Sequence, residues 1–143
     1  MRQMQSLYFE QAEIGMEFKT ALSEPFTREM CEAFEMLTRD RAHTKDPTKP
    51  GFVQGNFIVS MTGGLLFDVG HFVDTIVVQT VKNTRFLRPL MLGQRLYAVE
   101  KIVRVEDMPG KPFGKVWFDR ETFNDNDELI LKTEQEYRIR KRG

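Results

Sequence analysis

The stretch from Asn56 to Val69, NFIVSMTGGLLFDV, is apolar nearly all the way round a helical projection. A helix of that kind is not satisfied by laying one face on a neighbour, so something must surround it. The β-branched pair Ile58 and Val59 leaves a strand open, but the length and the Gly63-Gly64 pair suit a helix pressed close to a sheet. The apolar run from Phe57 to Val69 is shorter than the ~20 residues of a membrane span, and glycines and Asp68 interrupt or end it. It reads as a buried central helix.

After His71 the period of the sequence changes to two. Residues 75–86, 94–105, 115–123 and 128–140 each alternate as strands do. Within the second of these Tyr97, Val99, Val103 and Val105 share one face, and within the fourth Leu129, Leu131, Tyr137 and Ile139 do. The connections RPLMLG (88–93), MPGKPFG (108–114) and NDND (124–127) are short and rich in turn residues, which makes the strands neighbours in an antiparallel sheet.

Ahead of the central helix, residues 27–37 place Met30, Phe34 and Leu37 on one helical face, with Thr27 as cap and Glu29 in the first turn. The following TRDRAHTKDPTKPG, residues 38–51, combines charge, two prolines and a glycine, and reads as the longest loop. The whole is an α+β chain with one domain over residues 1–143, since no repeat, linker or low-complexity tract divides it.

Lys plus Arg and Asp plus Glu both number 21, so charge argues neither for nucleic acid nor for a cationic partner. The lone Cys31, on the polar or side face of the first helix, has no intramolecular disulfide partner and reads as a free structural thiol. The opening MRQMQSLYFEQ has no signal-type apolar run, and a cytoplasmic location is expected. Two histidines and one cysteine give no metal-ligand spacing, and neither a phosphate-binding glycine loop nor a G-x-S-x-G elbow occurs, so no metal or cofactor is expected.

Three stretches carry a resemblance. Tyr8-Phe9-Glu10 with Ile14-Gly15-Met16-Glu17-Phe18, then GNFIVSMTGGLL at 55–66, and above all RFLRPLMLGQRL at 85–96, which follows an F-x-x-P-x-x-x-G-D-x-L strand and turn, resemble the MaoC-like dehydratases of the (R)-specific enoyl-CoA hydratase branch. The resemblance implies a hotdog fold, a long central apolar helix wrapped by an antiparallel sheet. It also implies action on an acyl-CoA or acyl-carrier thioester, with coenzyme A present only as part of the substrate. The family's G-D-x-N-P-x-H loop stands here as Arg39-Asp40-Arg41-Ala42-His43, two residues shorter between Asp and His, and its A-H-G appears as Val53-Gln54-Gly55.

Hydrating an enoyl thioester needs acid-base groups on one water and donors for the charge that develops on the carbonyl oxygen. The resemblance assigns Asp40 as the base, His43 as the group that holds the water and protonates the α-carbon, and the Gly55 N–H as the oxyanion donor. A turn brings positions three apart within about 7 Å, so Asp40 and His43 can reach one water. A glycine at a helix N-terminus suits the third role. The bland alternatives are a solvated loop for the pair and plain helix packing for the glycine. Arg85 and Arg88, flanking the turn, are the candidates for coenzyme A phosphates, and His71 reads as a helix C-terminal cation or a loop residue. A thioesterase using Asp40 on the carbonyl, and a domain that binds thioesters without turnover, remain open beside the hydratase. A sheet on one helix leaves an edge strand, so a homodimer or dimer of dimers is expected, with no nucleic acid and no membrane.

Overall fold

The computed structural model describes residues 6–69 and 74–143. A 3-10 turn, Phe9–Gln11, leads into β1 (Glu17–Lys19), α1 (Arg28–Thr38), α2 (Gly55–Asp68), β2 (Ile76–Phe86), β3 (Leu96–Glu106), β4 (Phe113–Asn124) and β5 (Leu129–Arg140). The strands form one antiparallel sheet in the order β1-β3-β4-β5-β2. The central helix and the four long strands stand where periodicity put them, within a residue or two at each end. The short β1, which pairs Phe18 with Glu100, is an addition: three residues carry no readable period.

β4 follows the alternation strictly, its even-numbered residues from Gly114 to Asn124 buried on the inner face. In β5 the expected set holds, with Leu131, Tyr137 and Ile139 buried and Leu129 half-buried. In β3 the expectation is corrected. Leu96, Ala98, Glu100 and Ile102 face the core, Tyr97 and Val99 lie on the opposite face, and Val103 is exposed. Both sets contain apolar residues, so alternation alone could not choose between them. An irregularity in pairing between Ile102 and Arg104 also breaks the parity that would have carried Val103 and Val105 with Tyr97.

α2 lies against the sheet through Ile58, Thr62 and Leu66, spaced four apart, while Val59 and Phe67 on its other sides stay exposed. α1 is capped by Thr27, whose side chain accepts from Met30 N, and ends in Arg39 at φ 66°. Its packing differs from the expected face. Cys31 is fully buried, Met30 and Phe34 are half-covered, and Leu37 projects 86% exposed because the last turn overhangs the core. Phe57 anchors the two helices together, stacking on Phe34 at 4.7 Å and meeting Phe26 edge-on at 5.1 Å.

The inner face of the sheet is apolar at both ends and polar between. Phe26, Cys31, Val53, Ile58, Leu90 and Leu96 form one cluster, and Phe9, Ile102, Val116, Phe118 and Ile139 form another. Between them Arg120 Nε donates to Glu100 Oε2 at 2.5 Å and its Nη2 to the Tyr137 hydroxyl, all three residues being buried. Burial drives the Tyr137 hydroxyl well above the ordinary phenol range.

Candidate active site

No side chain caps the first turn of α2, which begins at Gly55. The terminus therefore presents free backbone donors and the positive end of the helix dipole. A side chain at Gly55 would have its Cβ 2.9 Å from the Phe86 ring, so glycine is what lets β2 bring that ring over the helix start. Around this point opens a groove of about 320 Å³ lined by Gly55, Val53, Ile58, Phe86 and Leu87, with Arg88 at its edge. An apolar trough ending at uncapped amides suits an aliphatic chain carrying a carbonyl.

Asp40 reaches the same terminus from the loop after α1. Its Oδ2 accepts from Asn56 Nδ2 at 3.1 Å and its Oδ1 from Ala42 N at 3.0 Å. The fully buried Gln54 side chain fastens its backbone, with Nε2 donating to Cys31 O at 2.8 Å and to Asp40 O at 3.2 Å. One carboxylate is thereby held beside the residue that opens the helix. Neither Gln54 nor Asn56 was picked out by sequence. Gln54 is a neutral residue in the position of the family's histidine, and Asn56 is an ordinary first-turn residue until the loop folds onto it.

His43 goes elsewhere. Its ring, 2% exposed, has Nε2 2.9 Å from Glu35 Oε1, and Lys45 Nζ donates to Glu35 Oε2 at 3.0 Å. Lys45 first and His43 second hold the Glu35 carboxyl below its ordinary value. No hydrogen bond or ion pair joins Asp40 to His43 among the described residues, and Nε2 is occupied by the α1 carboxylate. Glu35 was not anticipated because eight residues of chain separate it from His43.

The two arginines also part. Arg88 borders the groove and pairs with Glu128 at 3.0 Å, whereas Arg85 lines a separate hollow with Asn83, Lys132 and Glu134. They do not share one phosphate subsite, because a strand directs Arg85 and its neighbour Phe86 to opposite faces. Cys31 is a buried free thiol, as expected of a structural cysteine, and its pKa is raised by burial. It lies in the core, not on a side face. His71 lies outside the described residues. Among the described residues no cluster of metal-ligating side chains occurs, and no helix is long and apolar enough to cross a membrane.

No protein-family profile matches the sequence. No curated protein matches it either. Solved structures do. A monoamine oxidase regulatory protein from Archaeoglobus fulgidus superimposes with a TM-score of 0.83 at 26% identity, over 100% of this chain and 99% of that one. A putative MaoC domain dehydratase from Chloroflexus aurantiacus gives 0.84 at 16% identity, over 96% of this chain and 41% of its own. The R-hydratase PhaJ1 of Pseudomonas aeruginosa gives 0.73 at 16%, over 97% and 89%. The neighbours include MaoC-like dehydratases and (R)-hydratases. The fold is a hotdog. In this hotdog the central helix is α2, and Asp40, Asn56 and Gly55 gather at its N-terminal end.

Proposed function

We propose that this hotdog domain adds water to, or removes it from, an enoyl thioester at the N-terminus of α2. The observation that carries the reading is the Asp40 carboxylate, held at 3.1 Å by Asn56 in the first turn of the helix whose uncapped Gly55 lines the apolar groove. The thioester carbonyl points at the Gly55 N–H and the acyl chain lies against Ile58 and Phe86. Asp40 takes a proton from water as its oxygen bonds to the β-carbon. The electron pair of the double bond moves to the α-carbon and carbonyl, where the helix terminus stabilises the charge. The carboxyl then returns the proton to the α-carbon. His43, its Nε2 engaged by Glu35, serves here to anchor the loop that carries Asp40. No metal or resident cofactor enters, and coenzyme A or a carrier arm is part of the substrate, with Arg88 at the groove edge the nearer phosphate partner.

The commitment of His43 to Glu35 favours a second reading, thioester hydrolysis, in which Asp40 drives water onto the carbonyl carbon and the thiolate leaves. That route delivers no proton to the α-carbon, whereas in hydration Asp40 must both take the water's proton and return it, because His43 is engaged by Glu35. Mass spectrometry of the protein with trans-2-enoyl-CoA and saturated acyl-CoA separates the readings. A product heavier by one water supports hydration, and free CoA supports hydrolysis. Unchanged thioesters leave a binding domain. Asp40→Asn should lower either turnover by about 10² to 10⁴-fold while sparing affinity.

The assembly proposed is a homodimer in the cytoplasm. β2 is an edge strand of eleven residues whose Val77, Val78 and Val81 are 47%, 43% and 52% exposed. Pairing such edges between two copies covers both.

A further inference from the structure

Asn56 is the second residue of α2, and a helical side chain leans back toward the start of its own helix, so its amide reaches the loop that arrives there. Its Nδ2 donates to Asp40 Oδ2 at 3.1 Å, while Asp40 Oδ1 accepts from Ala42 N at 3.0 Å. The carboxylate is thus hung between helix and loop with one donor on each oxygen, and both Ala42 and Gly55 line the groove. The His43 ring, the sequence-expected partner on the water, is 2% exposed and engaged by Glu35. Among the described residues Asn56 is the one side chain hydrogen-bonded to the Asp40 carboxylate. The residue is exposed, and no protein donor among the described residues reaches its Oδ1.

Resting on the reading that Asp40 activates water against a thioester, we propose that Asn56 is the positioning residue of this site. Its Nδ2 fixes the carboxylate, and its Oδ1 accepts one hydrogen of the attacking water, whose other hydrogen points at Asp40. An amide carries donor and acceptor on neighbouring atoms of one plane, so a single side chain sets both the base and the nucleophile. The water is then oriented at two points before it reacts. The hydrogen bonded to Asp40 passes to the carboxylate as the water oxygen bonds to carbon. The hydrogen on Asn56 Oδ1 stays with that oxygen, in the new hydroxyl after hydration or the new carboxyl after hydrolysis. Asn56 exchanges no proton, and its effect is geometric. It acts on the bond-forming step and not on the grip on the thioester.

The test is a double-mutant cycle between Asn56 and Asp40, with kcat and KM measured on whichever of trans-2-enoyl-CoA and saturated acyl-CoA the wild type turns over. Asn56→Leu removes both polar atoms. It should lower kcat by about 10²-fold, with KM within about two-fold of wild type and the thermal midpoint close to it. Asn56→Gln, which keeps the amide on a longer arm, should recover about ten-fold of that loss. On the Asp40→Asn background Asn56→Leu should cost less than about three-fold, because no base remains to be aimed. If Asn56→Leu does not fold, Asn56→Ala takes its place in the cycle. A wild-type kcat in Asn56→Leu overturns the positioning role and leaves the Asp40 reading intact, as does a loss of equal size on both backgrounds. Equal losses in the Leu and Gln variants with a lowered midpoint assign Asn56 to loop packing and overturn the role as well. A wild type that turns over neither thioester overturns both readings.

Discussion

The Nε2 of His43 lies 2.9 Å from Oε1 of Glu35, across the seam between α1 and the loop that follows it. The imidazole is buried, and the carboxylate also receives Lys45. This clasp sets where the loop leaves α1, and hence where Asp40 arrives at the head of α2.

Acidification should loosen the clasp. Lys45 and His43 favour the ionised form of Glu35, so its folded-state value is depressed below 4.5. The contribution is complete above that ordinary value and fades as pH falls through the lowered one. Urea midpoints measured from neutral pH downward should fall for the wild type in that window, and Glu35→Gln should start lower and lose part of the slope. An unchanged slope in the variant would assign the acid sensitivity to other carboxylates.

Gly55→Ala tests the helix terminus. Alanine is about 1 kcal/mol better than glycine in a helix, but its Cβ would stand 2.9 Å from the Phe86 ring. Phe86 is half exposed and can swing away, so the net change in stability should stay within about 1 kcal/mol. Activity should fall about ten-fold or more, because the methyl and the displaced ring both intrude on the groove. A denaturation midpoint read beside kcat/KM checks both halves, and wild-type activity would remove Gly55 from the site.

Glu100→Ala would leave the Arg120 guanidinium, 8% exposed, without its carboxylate. Breaking one side of a buried pair costs about 3 to 5 kcal/mol. Chemical denaturation should report a loss of that size, and a loss below about 1 kcal/mol would show that solvent reaches the pair.

Val81→Lys places a charge on the exposed edge of β2. Sedimentation should show the wild type at twice the mass of the chain and the variant shifted toward one copy, with its far-ultraviolet circular dichroism unchanged. A wild type already at single-chain mass would sink the edge-to-edge dimer.

What could be read from the chain without its fold is what depends on local period and turn chemistry. The all-round apolarity of residues 56–69 announced α2. Alternation announced β2 to β5, and Thr27 and the 38–51 composition bounded α1. Motif spacing marked Asp40 and Gly55 only as candidates, because spacing marks positions along a backbone.

Tertiary structure decided what depends on direction. It turned Leu96, Ala98, Glu100 and Ile102 inward in β3 where both faces carried apolar residues. It sent Cys31 into the core and left Leu37 outside. It also gave His43 to Glu35 and Asp40 to Asn56, and parted Arg85 from Arg88. A side chain's partner is set by elements that meet only after folding, here across 8 residues for His43 and 16 for Asp40, so no spacing within the loop specifies it.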